Sequence, residues 1–406
     1  MGNYSGRKRG KNMTSSRKNN AVWINDEAFG ALDLIENQIF SKFNRLMNEK
    51  EANEIYETGF LAGEPMPYTF VFAPHGKRNQ ETIKNSAKGD HIELINGGKV
   101  VGYIEVGEVF KFSAEKSSQN IFRANEAASA QQSQSGELAV SGEIKIYDDK
   151  LAEVRKLIEE IKREQNVRKV SAIMLTAEPF NRAHERLIRM TIDSSDLVLL
   201  FLLKSHGADE MMSFSLKKSV LEYFIQNYVP KNRLIIVPFE NSNLFSSHLN
   251  PTLECIAAHR LGAHKLIVGQ NHAGIGMFYD HNVAHTVLER YKNDLNLDIV
   301  VLPELVYCDE CKTLVSTKTC PHGQHHHIKY HAQTLKTLLL AGILPPAILM
   351  RRDISAMILS ELFPNRFENI QKLCDDLFPS NGLLEKQTER EFYENLMKLY
   401  QTTSLT

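Results

Sequence analysis

The stretch VSAIMLTAEPFNRAHERLIRMTIDSSDLVLLFLL (170–203) decides the fold, because its pattern is that of a strand, a helix and a second strand. Its two ends, Val170–Leu175 and Leu197–Leu203, are uninterrupted apolar runs of the length that suits buried strands. The residues between them, near 183–193, have a helical pattern. A strand joined to the next strand through a helix predicts a parallel pair.

The same alternation continues toward the C-terminus. Three more apolar runs follow, at Leu234–Phe239, Lys265–Gly269 and Ile299–Leu302. Helical stretches separate the runs, near 213–228, 252–262 and 283–294. The pattern predicts an α/β fold, a Rossmann-like parallel sheet with helices on both faces. Ligands of such sheets bind beyond the carboxyl ends of the strands, so the informative residues should directly follow each run.

The flanking regions differ in composition, and we predict five segments. They are a disordered basic tail (1–20), a mixed β-rich N-terminal domain (21–145) with a mobile loop at 113–137, the α/β domain (146–305), a Cys/His insert with the C-terminal part of the catalytic region (306–363), and a helical tail (364–406). In the N-terminal domain we predict short strands at Tyr68–Phe72, His91–Ile95 and Val100–Val106, with a hairpin turn at Asn96-Gly97-Gly98. Residues 333–363 are predicted to be helical, with an interruption at Pro345-Pro346.

Composition narrows the range of partners. The chain has 48 Lys and Arg against 49 Asp and Glu, whereas nucleic-acid binders usually carry a basic excess. No apolar run has the roughly 18 residues that a membrane span needs, and no apolar segment follows the basic N-terminus as it does in a secretory signal. Five cysteines without such a signal indicate a reducing compartment, so we expect a cytoplasmic protein without membrane partners.

Two strand ends carry histidines. After the first strand, a helix begins near Arg182, and its N–H groups and dipole should favour a phosphate to which His184 could donate. After the fourth strand comes HKLIVGQNHAGIGMF (264–278), where three glycines surround Asn271 and His272. Glycines allow close approach of the backbone to a ligand, and His272 could contact the base or the phosphates of a nucleotide.

These residues resemble those of a known family. RAHE (182–185) and GQNHAG (269–274) are similar to the Q-T-R-N-P-x-H-R-A-H-E and G-R-D-H-A-G motifs of the ATP sulfurylase (sulfate adenylyltransferase) family. The resemblance continues through LAGILPPAILMRRDISAMIL (340–359). The N-terminal domain, with Lys88-Gly89-Asp90, resembles the PUA-like domain of the family. Together these stretches cover about residues 50–360.

The resemblance implies a reaction and a set of residues. The family converts ATP and sulfate to adenosine 5′-phosphosulfate and pyrophosphate, with Mg²⁺ accompanying the phosphates. The implied catalytic residues are His184, Asn181 and Lys336. The implied ATP-binding residues are Thr176, Pro179, His184, Gly269, His272, Ala273 and Gly274.

The chain departs from the family motifs at several positions, and two arginines that the resemblance implies would hold sulfate are absent. The departures are Leu175 for Gln, Ala177 for Arg, Glu178 for Asn, Asn181 for the first His, Gln270 for Arg, Asn271 for Asp and Lys336 for a late Arg. Loss of two charge-assisted contacts weakens an anion site by about two to four powers of ten. Candidate replacements are Arg182, Lys204 and Lys336, whereas Glu178 would repel an anion in the same pocket.

Two functional hypotheses therefore remain open. The first is an enzyme of sulfate assimilation that transfers an adenylyl group to sulfate. The second is a nucleotide-binding paralogue that is non-catalytic or uses a different oxyanion. A nucleic-acid-binding role through the Cys/His insert and the basic tail is weaker, since it leaves both histidine loops unexplained. The sequence leaves a homo-oligomer possible.

A cysteine cluster predicts structural zinc. Cys308 and Cys311 have C-x₂-C spacing, Cys320 follows, and five histidines lie at 322, 325–327 and 331. Three thiolates and one imidazole complete a tetrahedral Zn²⁺ site without an open position, which is typical of a structural metal. We favour His325 as the fourth ligand, with His322 as the alternative. Reduced cysteines beside an unrelated histidine run are the less favoured interpretation.

Overall fold

The computed structural model describes residues 20–112, 120–123, 136–204, 211–240, 251–269, 295–378 and 386–400. The N-terminal domain contains helices α1 (Asp26–Glu36), α2 (Glu49–Thr58) and α3 (Lys77–Lys84), and strands β1 (Ala21–Trp23), β2 (Arg45–Leu46), β3 (Phe60–Leu61), β4 (Glu64–Pro65), β5 (His91–Asn96), β6 (Lys99–Lys111) and β7 (Leu138–Ile146). Five of these strands form a sheet in the order β1-β5-β6-β7-β2.

The predicted hairpin in this domain is confirmed. β5 and β6 pair antiparallel, and Gly97 and Gly98 connect them with φ angles of 54° and 78°. Consecutive positive φ angles fit the two-residue turns that match strand twist, and glycine adopts them without steric cost. The predicted strand at Tyr68–Phe72 is wrong, because only isolated bridges form there, at Thr69 and Phe72.

The second domain begins with α4 and contains the predicted parallel sheet. Its elements are α4 (Lys150–Glu164), β8 (Val170–Leu175), α5 (Arg182–Ser194), β9 (Leu197–Leu203), α6 (Phe214–Tyr228), β10 (Leu234–Phe239), α7 (Pro251–Arg260), β11 (Lys265–Gly269) and β12 (Asp298–Leu302). The strand order is β10-β9-β8-β11-β12, and every neighbouring pair is parallel. The five apolar runs thus correspond to the five strands.

Burial on both faces explains the continuous apolar runs. In β8, Ala172 and Met174 face one core cluster, which continues into the N-terminal domain. Ile173 and Leu175 face a second cluster formed with α5, α6 and the C-terminal helices. Because successive side chains of a strand point to opposite faces, a strand covered on both sides needs apolar residues at every position.

The remaining elements form the insert and the C-terminal region. They are β13 (Leu305–Cys308), β14 (Thr313–Ser316), β15 (His327–Lys329), α8 (Ala332–Leu340), α9 (Arg352–Leu362), α10 (Ile370–Leu377) and α11 (Glu389–Tyr400). The predicted interruption at Pro345-Pro346 lies between α8 and α9. Throughout the part of the chain with described structure, each helix falls short of the length and apolar character that a bilayer crossing demands.

Parts of several predicted segments fall outside the described residues, including stretches of the α/β domain and of the helical tail. The basic tail lies outside them apart from Asn20, and the predicted helix near 283–294 lies outside them entirely. The expected mobile loop at 113–137 is described only in part, and Ile121 within it is fully buried. Asn120 beside it donates a hydrogen bond of 2.7 Å to the carbonyl of Val71, so this part of the segment is docked onto the N-terminal core.

Candidate functional site

Asn181 caps the helix that follows the first strand of the parallel sheet. Its Oδ1 accepts hydrogen bonds from the N–H groups of Ala183 and His184, at 3.0 and 3.2 Å. In return, the N–H of Asn181 donates to Nδ1 of His184 at 3.3 Å. This reciprocal arrangement is a capping box, which fixes the start of α5. Asn181 itself is buried, and the structure gives it this positioning role.

The capping box determines the protonation of His184. Nδ1 accepts a hydrogen bond from a backbone donor, so the proton of the neutral ring lies on Nε2. The ring packs on Phe180, with 5.8 Å between the ring centres and 21° between the planes. Desolvation lowers the pKa of His184 to about 4, which keeps the ring neutral at pH 7. His184 can therefore offer Nε2–H as a neutral donor to a phosphate oxygen.

The expectation that backbone N–H groups of α5 await a phosphate is wrong. The N–H of Arg182 donates to the carbonyl of Leu349 at 2.9 Å, and those of Ala183 and His184 donate to Asn181. All three N–H groups of the first turn donate to acceptors within the protein. Such acceptors are needed because the first N–H groups of a helix have no partner inside the helix. A phosphate at this edge would rely on side chains and on the helix dipole.

Glu178 lies in the loop between β8 and α5, and its carboxylate contacts a backbone N–H group and two lysine side chains. Its Oε1 accepts from the N–H of Met211 at 2.7 Å and lies 3.4 Å from Nζ of Lys336 on α8. Its Oε2 lies 3.7 Å from Nζ of Lys217 on α6. The Glu178 side chain is only 9% exposed and that of Lys217 is fully buried. The structure thus brings Lys336 together with Glu178, and it adds Lys217, which the sequence reasoning missed.

A sequence signal for Lys217 was present. Residues 214, 217, 221 and 224 follow helical spacing, and the other three positions are the buried Phe214, Leu221 and Phe224. A lysine at such a position must bury its ammonium group, which requires an acidic or hydrogen-bonding partner. The identity of that partner is not visible in the sequence, because Glu178 is on another element.

Two of the missing family side chains are replaced by buried apolar residues. Leu175 and Ala177 are 5% and 1% exposed and belong to the core cluster on the α5 side of the sheet. Thr176 between them is exposed at the edge, and Pro179 is buried. Among the residues predicted to bind ATP in this loop, Thr176 and His184 are therefore the two with accessible surface.

Arg182 is engaged in a structural contact. Its Nε donates to the carbonyl of Ala347 at 3.1 Å, and its Nη1 lies 3.0 Å from Oε2 of Glu185. Glu185 also accepts from Nε of Arg351 at 2.9 Å, with a second contact to Nη2 of the same arginine, and from Arg189. The acid of the RAHE motif thus ties α5 to the start of α9. Arg182 serves the same connection, which argues against its use as a replacement anion ligand.

The second predicted loop begins at the same edge. β11 runs parallel to β8 and ends at Gly269, where an added Cβ would meet no atom of the described residues within 4 Å. Gly269 therefore lies on the ligand side of the sheet, and the described part of the chain does not fill the space beside it. His272, Ala273 and Gly274 lie outside the described residues. Their approach to a nucleotide stays a prediction.

The cysteine cluster has the geometry of a metal site. Nδ1 of His322 lies 3.4, 3.3 and 3.7 Å from the sulfurs of Cys308, Cys311 and Cys320, and the last two sulfurs are 3.9 Å apart. Around a tetrahedral Zn²⁺, the sulfur–nitrogen and sulfur–sulfur separations are about 3.6 and about 3.8 Å. The donor set and its spacing therefore fit zinc, and the four side chains form a potential metal-binding group.

The fourth side chain in this cluster is His322, and our choice of His325 is wrong. His325 is exposed, and its ring packs against that of His326 with 4.1 Å between the ring centres and a tilt of 46°. The two-residue step from Cys320 to His322 is sufficient because the chain turns there, which brings both donor atoms to one point. The hairpin of β13 and β14 supplies the other two ligands. Four ligands leave no open position, as in structural zinc sites.

Comparison with known proteins agrees with both domains. A family profile described as ATP-sulfurylase matches residues 148–361, and one described as a PUA-like domain matches residues 3–149. The sulfate adenylyltransferase of Deinococcus deserti is 25% identical over 351 residues, covering 82% of this chain and 87% of that protein. That of Psychrobacter sp. is 25% identical over 325 residues, covering 76% and 74%.

A solved structure shares the fold. The hexameric APS kinase from Thiobacillus denitrificans superimposes with a TM-score of 0.60 at 14% identity, covering 85% of this chain and 63% of that chain. At this identity the likeness concerns the fold alone. The match to the ATP-sulfurylase profile extends over more than half of the 406 residues and spans the parallel sheet, α5 with its RAHE motif, the cysteine cluster and α8. The chain therefore belongs to the ATP-sulfurylase family.

Proposed function

We propose that this protein binds Mg-ATP at the carboxyl edge of the parallel sheet and transfers the adenylyl group to an oxyanion, with sulfate as the first candidate. The reaction would release pyrophosphate and yield adenosine 5′-phosphosulfate. The observation that carries the proposal is the His184 ring, held neutral at the start of α5 with Nε2–H as its available donor. The membership of this chain in the ATP-sulfurylase family supports the reaction class, as do relatives named sulfate adenylyltransferase.

In this proposal the protein acts mainly by positioning and by charge stabilisation. His184 donates Nε2–H to a phosphate oxygen, and the positive end of the α5 dipole favours the same negative charge. Gly269 leaves room for the nucleotide, with His272, Ala273 and Gly274 as predicted contacts in the following loop. Mg²⁺ would accompany the phosphates of ATP. The four side chains of the cysteine cluster would hold a structural Zn²⁺ that orders the insert.

Asn181 supports the site without touching substrate in this arrangement. It caps α5 and orients the His184 ring through their reciprocal hydrogen bonds. We therefore assign Asn181 as a positioning residue for His184. Lys336 remains the candidate for direct anion binding, through the ammonium group beside Glu178. A homo-oligomer stays a prediction.

A second candidate is a nucleotide-binding paralogue that lacks turnover or uses a different oxyanion. It is favoured by the apolar Leu175 and Ala177, both buried where the family carries Gln and Arg. Without those polar side chains, the acceptor anion loses charge-assisted contacts that are each worth about 1.5–3 kcal/mol. In this case ATP would bind, and sulfate would not raise the rate of pyrophosphate release.

One assay separates the two candidates. Purified protein is incubated with Mg-ATP and sulfate, pyrophosphate release is followed, and AMP formation is measured with molybdate in place of sulfate. Sulfate-dependent turnover supports the enzyme, and ATP binding without either product supports the paralogue. In an active enzyme, His184→Ala should lower kcat/KM by about 10²–10³, as expected for loss of one transition-state donor. His91→Ala is the control, since His91 is exposed in the N-terminal domain.

A further inference from the structure

The Glu178 carboxylate sits among groups that would otherwise suit a free oxyanion. Among the described residues, its partners include the N–H of Met211 before α6, Nζ of Lys217 on α6 and Nζ of Lys336 on α8. The distances from the carboxylate oxygens are 2.7, 3.7 and 3.4 Å. A backbone N–H and two ammonium groups that converge on one point are the usual donors of an anion site.

The location of the cluster also favours an anion. Glu178 follows β8 at its carboxyl end, and Met211 lies three residues before the first residue of α6. The carboxyl edge of a parallel sheet is where ligands bind, and the positive ends of the following helices face it. The carboxylate therefore lies on the ligand side of the sheet, near the start of α6, in a position that an exogenous anion could also use.

The buried lysine favours a negative charge at this position. The Lys217 side chain is fully buried, and a buried ammonium group is strongly destabilising unless a negative charge or hydrogen-bond acceptors compensate it. In this structure the side chain of Glu178 supplies that charge from a loop. An oxyanion of similar size and charge could replace it, provided that the Glu178 side chain rotates away.

We propose that Glu178 is an internal occupant of an oxyanion site and competes with tetrahedral oxyanions for Met211, Lys217 and Lys336. The site accepts an anion only when this carboxylate leaves, so the wild-type protein binds free sulfate weakly. Glu178 is then the specificity-determining residue on the acceptor side of the proposed reaction. The inference rests on the proposed function only for the role of the anion as acceptor, because anion binding itself requires no nucleotide.

The test is a sulfate titration of three full-length proteins without ATP, by calorimetry at constant ionic strength with chloride as the balancing anion. The proteins are the wild type, Glu178→Ala and the control Glu240→Ala. Glu240 forms an exposed ion pair with Lys150 at 2.7 Å, so its removal changes net charge equally without touching the cluster. We expect Glu178→Ala to bind sulfate at least about tenfold more tightly than the wild type and the control.

A second substitution assigns the gain to the cluster. In the Glu178→Ala background, Lys336→Met should return sulfate affinity to the wild-type level. If Glu178→Ala does not fold, Glu178→Ser takes its place, because its short polar side chain also leaves the position of the carboxylate between Met211, Lys217 and Lys336 open to an anion. Phosphate is titrated in parallel to determine whether the site prefers one tetrahedral oxyanion.

The proposal is overturned if the folded Glu178 variant binds sulfate no more tightly than the wild type, or if Lys336→Met leaves the gained affinity unchanged. This outcome is distinct from failure of the proposed function. A protein without turnover could still gain sulfate affinity in Glu178→Ala, and an active enzyme could show no gain.

Discussion

Oε1 of Glu178 lies 3.4 Å from Nζ of Lys336, although the two residues are 158 positions apart in the chain. Both occupy positions where the family motif differs, an Asn in the first case and an Arg in the second. The acid that would repel an anion and the lysine that would attract one are therefore paired with each other. Their pairing replaces the expected repulsion by a competition between an internal carboxylate and a free oxyanion.

We predict that Lys217→Met in the Glu178 cluster destabilises the protein when made alone. It leaves the Glu178 carboxylate with fewer compensating charges in a buried position, and breaking a buried ion pair costs about 3–5 kcal/mol. The remaining contact with Lys336 should keep the loss near the lower bound. Urea unfolding measures the free energy. The matched control is Lys218→Met, which removes a lysine that pairs with Glu222 on the exposed face of the same helix.

The double variant Glu178→Gln with Lys217→Met checks the interpretation. It removes both charges, so it should recover part of the loss seen in Lys217→Met. If the two substitutions are simply additive, Lys217 does not depend on Glu178 for its charge compensation.

Glu185 of the RAHE motif should stabilise the fold through its contacts with the C-terminal region. We predict that Glu185→Gln lowers the free energy of unfolding by about 2–4 kcal/mol, because Arg351 and Arg182 lose their charged partner in a buried setting. Glu159→Gln, which removes an exposed partner of Lys162, should change it by less than about 1 kcal/mol. Equal effects of the two substitutions would contradict this structural role.

The charge of Glu185 also predicts how the free energy of unfolding changes at acid pH. Desolvation raises the pKa of Glu185, but the hydrogen bonds and charges of Arg351 and Arg182 outweigh it, so the net pKa is lowered. The unfolded chain then takes up a proton at a higher pH than the folded chain. The stabilisation is complete above the pKa of the unfolded carboxyl and is lost as pH falls through the folded pKa. Glu185→Gln should therefore unfold with a weaker dependence on acid pH.

His184 should also make the free energy of unfolding depend on pH, in the mildly acidic range. Its pKa is lowered from 6.5 to about 4, so between these values the unfolded chain is protonated and the folded chain is not. Stability therefore falls as pH decreases through this window, by about 2 kcal/mol at most between pH 7 and pH 5 for a ring that is only half-buried.

The matched variant for this slope is His184→Gln. Glutamine can accept from the N–H of Asn181 as a capping-box residue, and it does not titrate. Urea unfolding at a series of pH values should show a smaller loss of stability between pH 7 and pH 5 in this variant. An unchanged slope would mean that His184 is not kept neutral by its surroundings.

The metal site yields a prediction that distinguishes two neighbouring histidines. We expect the purified protein to contain about one zinc per chain, and His322→Ala should greatly reduce this content because it removes one of four tetrahedral ligands. His325→Ala should retain zinc, since His325 is exposed and lies outside the four-residue cluster. Metal analysis after dialysis provides the measurement. Loss of zinc in His325→Ala with retention in His322→Ala would reverse the assignment.

Metal removal should act on stability more than on chemistry at the sheet edge. A chelator should loosen the insert formed by β13, β14 and β15, because a bound metal would join Cys308 at the end of β13 to Cys311, Cys320 and His322. Limited proteolysis would then cut near residues 309–327 in the chelated protein and leave the zinc-loaded protein intact. Identical digestion patterns would show that the cluster does not hold a structural metal.

Several features of this protein could be predicted from local sequence pattern. The five apolar runs correspond to the five parallel strands because a strand buried on both faces must be apolar throughout, and this signal is contained in consecutive residues. The Asn96-Gly97-Gly98 turn was equally local, since it depends on φ angles that glycine adopts. Tyr68–Phe72 was assigned wrongly, because β-prone residues form a strand only when another strand is available to pair with them.

What the sequence by itself determined is therefore the order of elements, the family and the residue types at the strand ends. The tertiary structure decided which of those residues meet. The described partners of Glu178 come from α6, the residues before it and α8, and the choice of His322 over His325 depends on the direction of a turn rather than on spacing. The physical reason is that the periodicity of apolar residues reflects which positions are buried. Whether a residue favours a buried position depends on its own side chain, so this information is local. Ion pairs and metal ligands depend on distances between side chains that only the packed chain brings together.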